Sequence, residues 1–291
     1  MRPFDLLQPT TVDEAVSLLH QHGDEARLLG GGAMMAILLR ERLITPGVLI
    51  SLLSIPGLDE VRGNGAGPHI GATATLSRIE KSAAVREAHP VLAEAIRLVG
   101  NVRVRNVATI GGHLAQADVH LDLPPVLLAL NASVTVRGPG GERRIRFADL
   151  LVGYYETSLA PDEMIVSVDL PAQPAGLSGA YLKYCSLSPN DWPTVGVAAF
   201  FQAEDGRAAD VRIVVGSVSE RPLRLPEAEA MLRGERLTAT SVAEVAGRYA
   251  AAADPLPDVR GTVEYKRKVT EVYVRRAVAA AAGRAGLTIE E

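Results

Sequence analysis

Two glycine-rich turns carry the residue types and the spacing in this sequence that could hold a ligand. The first turn reads Leu29, Gly30, Gly31, Gly32, Ala33, Met34 and Met35. Glycines after a strand let the backbone approach a ligand closely, and their N–H groups can surround an anion. A diphosphate at the start of a following helix would also gain from the helix dipole. The turn is therefore a candidate diphosphate site, with a plain tight turn as the alternative interpretation.

The first turn fits the usual dinucleotide fingerprint poorly. Gly30 and Gly32 match the first two glycines of GxGxxG, but Met35 stands where the third is required. The sequence has no GxxxxGK segment followed by Ser or Thr, so it does not support a mononucleotide P-loop. The diphosphate hypothesis therefore depends on the rest of the chain.

The second glycine-rich turn covers residues 105–115 and places a hydroxyl and an imidazole beside a glycine pair. Its candidate ligand contacts are Thr109, Ile110, Gly111, Gly112 and His113. Asp122 follows at a position where its carboxylate could accept hydrogen bonds from ribose hydroxyls. Because Asp shortly before two prolines is also a common helix start, position alone slightly favours an N-cap role for Asp122.

Other catalytic arrangements have weak support. His113, Asp118 and His120 form a small loop cluster without a convincing further ligand, which disfavours a metal site. No GxSxG segment offers a hydrolase nucleophile. Cys185 is the single cysteine and lies in a strand-like run without a nearby histidine, so we interpret it as a small buried residue. One thiol cannot hold an iron–sulfur cluster or a structural zinc.

The elements around the two turns predict an α+β fold. Thr11 and Glu14 have capping-box spacing at the start of a helix, and short strands are expected at residues 27–29 and 48–52. Further along, short strands mix with helices without regular βαβ spacing, including a hairpin around residues 138–141. That pattern favours α+β over a doubly wound sheet.

A breaker-rich segment at residues 171–176 is the best candidate for a linker. Three strand-like runs follow it, and helices follow these. In the last helix, over residues 263–282, one face is predicted from Val269, Val272, Tyr273, Ala277 and Ala280. The basic run at residues 266–268 lies in this helix and is interpreted as a solvated face.

The composition is typical of a soluble globular protein. The chain has 291 residues, of which 47% are hydrophobic and 22% charged, enough for the cores of two domains. A formal net charge of -4 argues against general nucleic-acid binding. The sequence begins without a signal-peptide pattern and has no run near the roughly 18 apolar residues of a membrane helix. We therefore expect a cytoplasmic chain without an integral membrane segment.

Several segments, taken in chain order, match one family pattern. The first covers residues 27–58 and includes the first glycine turn. Residues 69–79 follow, and then the second turn through to residue 124. The last matches are at residues 181–192 and 260–267. Together they resemble the FAD-binding medium subunits of molybdenum hydroxylases, in the carbon monoxide dehydrogenase and xanthine dehydrogenase family, over nearly the whole chain.

The resemblance implies a domain plan and a set of cofactor contacts. A vanillyl-alcohol-oxidase or PCMH-type FAD-binding domain would occupy residues 1–172, with subdomains at about 1–56 and 57–172. A smaller C-terminal α+β domain of carbon monoxide dehydrogenase flavoprotein type, with a three-stranded antiparallel sheet and helices, would occupy residues 177–285. Asp122 would lie on the adenosine side and Lys183 near the flavin. The implied FAD contacts are Leu29, Gly30, Gly31, Gly32, Ala33, Met34, Met35, Thr109, Ile110, Gly111, Gly112, His113, Ala117, Asp122, Ile165 and Lys183.

The resemblance also implies a role and partners. Such subunits carry FAD and take electrons from the 2Fe–2S clusters of a small partner subunit, which a large molybdopterin subunit supplies. The expected assembly is a heterohexamer with two copies of each subunit, which could lie peripherally at the inner membrane. Electrons would pass to quinone, oxygen or NAD, and the substrate would be chosen in another subunit.

The sequence departs from the family pattern at two loops. Ala33, Met34 and Met35 offer no polar side chain, so diphosphate binding would depend on backbone N–H groups and FAD affinity could be lower. Residues 186–190 lack the basic residues often found in the corresponding loop. Two alternatives stay open, namely a self-sufficient FAD-dependent dehydrogenase and a non-catalytic FAD-binding or assembly protein.

Overall fold

A computed structural model describes residues 2–291 of the protein and has the mixed α and β architecture that the sequence predicts. These residues form two compact units, each built from separate stretches of the chain. The first unit holds the described residues up to Ala88, then Asn101–Ala117 and Asn131–Pro171. The second holds His89–Gly100, Asp118–Leu130 and Ala172–Glu291. No helix among these residues combines the length and the apolar character needed to cross a membrane.

The first unit begins with a three-stranded parallel sheet. Its elements are β1 (Asp5–Leu7), α1 (Val12–His22), β2 (Ala26–Leu29), α2 (Ala33–Arg40) and β3 (Val48–Ser51), with β3 between the other two strands. The Thr11 hydroxyl caps α1 by accepting a bond from the Glu14 N–H at 3.1 Å. The Glu14 carboxylate accepts from the Thr10 N–H at 2.8 Å rather than from Thr11, so only half of the predicted capping box forms.

A five-stranded antiparallel sheet completes the first unit, in the spatial order β4-β5-β10-β6-β7. Its five strands are β4 (Val61–Asn64), β5 (Gly67–Gly71), β6 (Ser133–Gly138), β7 (Gly141–Arg146) and β10 (Met164–Asp169). The short strands β8 (Leu151–Gly153) and β9 (Glu156–Thr157) form a separate antiparallel pair. The helices of this stretch are α3 (Leu76–Lys81), α4 (Ala83–Ala88), α5 (Pro90–Arg97), α6 (Val102–Arg105), α7 (Ile110–Ala115) and α8 (Leu123–Ala129). Of these helices, α5 and α8 belong to the second unit.

The second unit is built on a four-stranded antiparallel sheet, in the order β11-β12-β13-β14. Its elements are β11 (Ser178–Tyr184), β12 (Val195–Glu204), β13 (Arg207–Gly216), β14 (Leu223–Arg224), α9 (Pro226–Ala230), β15 (Leu237–Thr238), α10 (Ala239–Ala252), α11 (Val263–Arg284) and β16 (Ile289–Glu290). The three predicted strands are present, and the two-residue β14 adds a fourth at the edge. β15 and β16 form a separate parallel pair.

The sheet of the second unit is covered on both faces. Val197 and Phe201 of β12 lie in a core cluster with residues of α10 and α11. Ala198 and Phe200 point the other way along the strand and are also buried, where α8 packs on β12 and β13 and α5 packs on β11. A strand buried on both faces needs a continuous apolar run, which explains why this stretch of β12 does not alternate.

Helix α11 turns most of its predicted face to the core, since Ala277 is buried and Val269, Tyr273 and Ala280 pack against the core cluster. Val272 is the one predicted residue of this face that is exposed. The residues that α11 buries are Lys266, Thr270, Val274, Ala277, Val278, Ala281 and Ala282. The interpretation of Lys266 as part of a solvated face is therefore wrong, because its side chain is 1% exposed. The Lys266 ammonium lies 2.7 Å from Asp258 Oδ1 and donates to the Leu256 carbonyl at 2.8 Å. These partners offset the cost of burying the charge.

Candidate functional site

The first glycine turn connects the end of β2 to the start of α2. Gly32 is the N-cap of α2 with φ +77°, and α2 receives no side-chain capping bond. The first bond of the helix runs from the Ala36 N–H to the Gly32 carbonyl at 2.9 Å. The N–H groups of Ala33, Met34 and Met35 therefore have no acceptor within the helix. This end of α2 offers backbone donors and the positive end of a helix dipole to an anion.

The second glycine turn packs directly against the first within the same unit. A Cβ atom added at Gly31 would lie 1.5 Å from the Val107 carbonyl oxygen, and one at Gly30 would lie 2.6 Å from Thr109 Oγ1. Only glycine permits so close an approach of the two segments. The structure thus brings together the two turns that the sequence singled out. The residues of the first turn, 29–35, are half-buried.

The second turn has its backbone donors occupied inside the chain. The N–H groups of Ile110 and Gly111 donate to carbonyls of residues 72–74 at 3.0 and 2.8 Å. The Gly112 N–H donates to the Thr109 hydroxyl, which caps α7, at 3.3 Å. The turn therefore supports the first one by shape, and the donors available to an anion come from the start of α2.

Two further predicted contacts of the first unit, Ala117 and Ile165, lie at irregular backbone. Ala117 has φ +48°, and its carbonyl accepts from the N–H of Tyr155, which has φ +57°. Ile165 is buried in β10 beside a register shift between Ile165 and Ser167. Backbone of this kind is concentrated at functional sites, which agrees with the predicted roles without assigning them.

The second unit holds a buried polar network around Asp122. Asp122 Oδ1 accepts a hydrogen bond from the Tyr181 hydroxyl at 2.9 Å, and Oδ2 accepts one from Lys183 Nζ at 3.1 Å. Lys183 Nζ also donates to the Leu98 carbonyl at 2.8 Å. The side chains of Asp122 and Lys183 are 4% and 3% exposed. The structure therefore brings together two residues that are 61 positions apart in the chain.

Burial controls the protonation of this network. Desolvation raises the pKa of Asp122 to about 6, although the Lys183 cation and the bonds from Lys183 and Tyr181 favour the charged carboxylate. Burial also raises the pKa of Tyr181 well above its ordinary value, so its hydroxyl stays protonated and can donate. Above about pH 6, Asp122 and Lys183 form a buried ion pair.

Asp122 stands at the predicted N-cap position of α8 but does not cap the helix. Its backbone is already helical, and its side chain makes no capping bond. Both carboxylate oxygens are instead used by Tyr181 and Lys183 of β11. The N-cap interpretation is therefore wrong in its chemistry. Tyr181 was not predicted as a polar partner, although its spacing of two from Lys183 places both side chains on one face of a strand.

The other candidate reactive groups have structural partners. His120 Nδ1 lies 3.0 Å from Asp118 Oδ1, and His120 Nε2 lies 3.8 Å from Asp258 Oδ2. Between residues 2 and 291, no three or more His, Cys, Asp or Glu side chains are placed to hold a metal ion. Cys185 is half-buried rather than buried, and its thiol donates to the Asp191 carbonyl at 3.5 Å. Burial raises the pKa of this thiol, which disfavours the nucleophilic thiolate.

Comparison with known proteins gives similarity along the whole chain. Residues 2–173 match the family model described as the FAD binding domain in molybdopterin dehydrogenase, and residues 180–281 match the CO dehydrogenase flavoprotein C-terminal domain. The alpha subunit of the 6-hydroxypseudooxynicotine dehydrogenase complex of Paenarthrobacter nicotinovorans is 34% identical, over 100% of this chain and 99% of its own length. The carbon monoxide dehydrogenase medium chain of Hydrogenophaga pseudoflava is 32% identical, over 96% of each chain.

Two solved structures are similar in fold and length. A chain of carbon monoxide dehydrogenase from Hydrogenophaga pseudoflava superimposes with a TM-score of 0.94 at 35% identity, covering 98% of this chain and 99% of the other. A chain of quinoline 2-oxidoreductase from Pseudomonas putida 86 gives a TM-score of 0.93 at 27% identity, covering 98% of each chain.

Proposed function

This chain belongs to the FAD-binding flavoprotein subunits of the molybdopterin dehydrogenases, and on that premise we propose that it transfers electrons from the 2Fe–2S clusters of a partner subunit to an external acceptor. The observation that carries the proposal is the pair of glycine turns packed together beside the start of α2. Bound FAD would supply a carrier that accepts and releases electrons one or two at a time.

The residues present fit a diphosphate group at the first turn. The N–H groups of Ala33, Met34 and Met35 have no acceptor within α2, and Gly32 leaves the helix end without a side chain that would block it. We assign the diphosphate to this end of α2. The second turn, Thr109 to His113, would contact FAD as well and hold the first turn in shape. Its contacts would not be backbone N–H donors, because those of Ile110, Gly111 and Gly112 are already used.

The other proposed contacts of FAD lie outside the glycines of the two turns. We propose that Asp122 and Lys183 contact FAD, with Asp122 on the adenosine side and Lys183 near the flavin. Above about pH 6 the two would act as a neutral ion pair, with Lys183 Nζ as a hydrogen-bond donor. Ala117, Ile165 and His113 complete the proposed set.

Partner chains are part of the proposal. Relatives of this chain are called medium chains or medium subunits, which agrees with a large and a small companion. The single cysteine, Cys185, cannot hold a 2Fe–2S cluster, so the clusters would lie in a small subunit and the molybdopterin cofactor in a large one. We propose a heterohexamer with two copies of each subunit. We also propose the division of the chain at residues 1–172 and 177–285.

Gentle purification of the complex from its host tests this function. We expect a flavin spectrum, iron and molybdenum in the preparation, and one larger and one smaller companion chain by native mass spectrometry. Rapid mixing with the complex's substrate should then reduce iron–sulfur absorption before flavin absorption. Flavin on a lone chain with its own turnover would instead support a self-sufficient dehydrogenase, and a preparation without flavin would contradict the proposal.

A further inference from the structure

We propose that Tyr181 is a positioning residue, which holds Asp122 and Lys183 in the arrangement that binds FAD. The inference rests on the function proposed above, in which Asp122 and Lys183 contact the cofactor. Tyr181 itself is not among the proposed contacts. Its role would be to fix the two residues that are.

The geometry around the Tyr181 hydroxyl supports a specific position for it. The hydroxyl donates to Asp122 Oδ1 at 2.9 Å, while the other carboxylate oxygen, Oδ2, is bonded to Lys183. The neighbouring strand makes room for this hydroxyl at Gly196, which pairs with Lys183. A Cβ atom at Gly196 would lie 2.4 Å from the Tyr181 oxygen. The hydroxyl therefore occupies space that only a glycine at this position leaves open.

Removal of the hydroxyl would leave one oxygen of a buried carboxylate without its donor. A buried acceptor that loses its partner is costly, and the cost is larger for a charged group. Asp122 would then take up a proton at higher pH than in the wild-type protein, because the bond from Tyr181 favours the charged form. Lys183 would lose its counter-ion at the same pH.

The side chains that bond Asp122 and act on its charge lie on β11. They are Lys183 and Tyr181, and the Cys185 thiol follows just after the end of β11. The Lys183 ammonium also donates to the carbonyl of Leu98, the residue that follows α5. On β13, Arg212 is bonded to the Ala129 carbonyl, at the opposite end of α8 from Asp122. The protonation of Asp122 should therefore respond mainly to Tyr181 and Lys183.

The test is the pH dependence of FAD affinity in the intact complex, measured by flavin fluorescence between about pH 5 and 8.5. For the wild-type protein we expect affinity to fall as the pH drops through about 6, where Asp122 is protonated. In Tyr181→Phe the midpoint should move up by about one pH unit, the size expected for one hydrogen bond to a charged group. In Asp122→Asn the midpoint should disappear.

Tyr184→Phe is the matched control, because it removes a hydroxyl from the same strand that is bonded to Tyr265 instead of Asp122. Its midpoint should equal that of the wild type. If Tyr181→Phe does not fold, Gly196→Ala displaces the hydroxyl without removing it and should shift the midpoint in the same direction. A wild-type complex that binds FAD with no transition near pH 6, or an equal midpoint in Tyr181→Phe, would overturn this inference alone. A wild-type complex without FAD would overturn the proposed function as well.

Discussion

At the scale of single residues, Gly31 has the least tolerance for change in the candidate site. A Cβ atom there would lie 1.5 Å from the Val107 carbonyl oxygen, which is backbone and cannot turn away as a flexible side chain can. In Gly31→Ala the two glycine turns must therefore separate. We expect loss of at least about 90% of bound flavin, together with about 1–3 kcal/mol of stability.

Flavin content per chain and urea unfolding would measure both effects of Gly31→Ala. Gly140→Ala is the matched control, because it alters a turn in the same unit where an added Cβ has nothing within 4 Å. That variant should keep its flavin. Full flavin occupancy in Gly31→Ala would mean that contact between the two turns is not needed for binding.

His89 makes the stability of the protein depend on pH. It is 2% exposed, and no hydrogen-bond partner for either ring nitrogen occurs among residues 2–291. Burial lowers its pKa from 6.5 to about 4. Between about pH 6.5 and pH 4, His89 therefore binds a proton in the unfolded chain but not in the folded chain. The free energy of unfolding consequently falls as the pH drops through this range.

The replacement His89→Leu should remove this dependence. At pH 5 the wild-type protein should lose about 2 kcal/mol relative to pH 7.5 through His89, and the variant should not lose this part. Urea unfolding at the two pH values measures the difference between the proteins. His22→Leu, at a histidine that is only half-buried, serves as the control. The same pH slope in His89→Leu and the wild type would contradict the assignment.

Local residues of the candidate site could be predicted from the sequence, while its long-range pairs could not. The turn at Gly30 to Gly32 is a local backbone feature, and glycine after a strand is a direct signal for it. Asp122 is a different case, because its partners Tyr181 and Lys183 are 59 and 61 positions away. The position of Asp122 shortly before two prolines therefore predicted a helix N-cap. In the folded chain its carboxylate is bonded to Tyr181 and Lys183 instead.

At the scale of elements, α11 depends on a buried charge on its core-facing side. Lys266 is buried, and its ammonium pairs with Asp258 and the Leu256 carbonyl. Lys266→Met keeps most of the side-chain volume but leaves the Leu256 carbonyl without that donor. We expect a loss of about 1–3 kcal/mol in the free energy of unfolding. Lys268→Met, two positions along on the exposed side, should change it by about 0.5 kcal/mol or less.

Chemical denaturation of the two lysine variants side by side provides the measurement for α11. The comparison isolates burial, because the helix, the residue type and the replacement are the same. Equal stabilities for Lys266→Met and Lys268→Met would mean that the buried ion pair contributes nothing net, a result known for some buried pairs.

Elements with strong local signals were predicted closely, whereas the buried polar residues of α11 were not. The turn between β6 and β7 carries glycine and proline at the hairpin tip, and its strands formed where expected. In α11 the apolar periodicity identified the core-facing residues Ala277 and Tyr273, but it missed the buried polar residues Lys266 and Thr270. A hydrophobic pattern does not detect polar residues that are buried with hydrogen-bond partners, so Lys266 and Thr270 were missed.

At the scale of the whole molecule, the two compact units do not follow a single cut in the chain. Helices α5 and α8 come before residue 172 but belong to the second unit, where they cover one face of its sheet. Gly216 of β13 lies against Pro125 of α8, and Arg212 bonds the Ala129 carbonyl. The breaker-rich segment at residues 171–176 does not by itself locate a domain boundary. Glycine and proline are as common in a turn within one domain as in a linker between two domains.

Separate expression of residues 1–172 and 173–291 tests how far each part can fold alone. The second fragment lacks α5 and α8, so the apolar sheet face with Ala198, Phe200 and Val214 would be open to water. An exposed apolar sheet face favours aggregation and the binding of hydrophobic dyes. We expect each fragment alone to be poorly soluble or dye-binding, and co-expression to yield a soluble pair, since the missing helices are then supplied in trans. A monomeric 173–291 fragment that unfolds cooperatively without binding dye would mean that the four-stranded sheet needs only α10 and α11 to be stable.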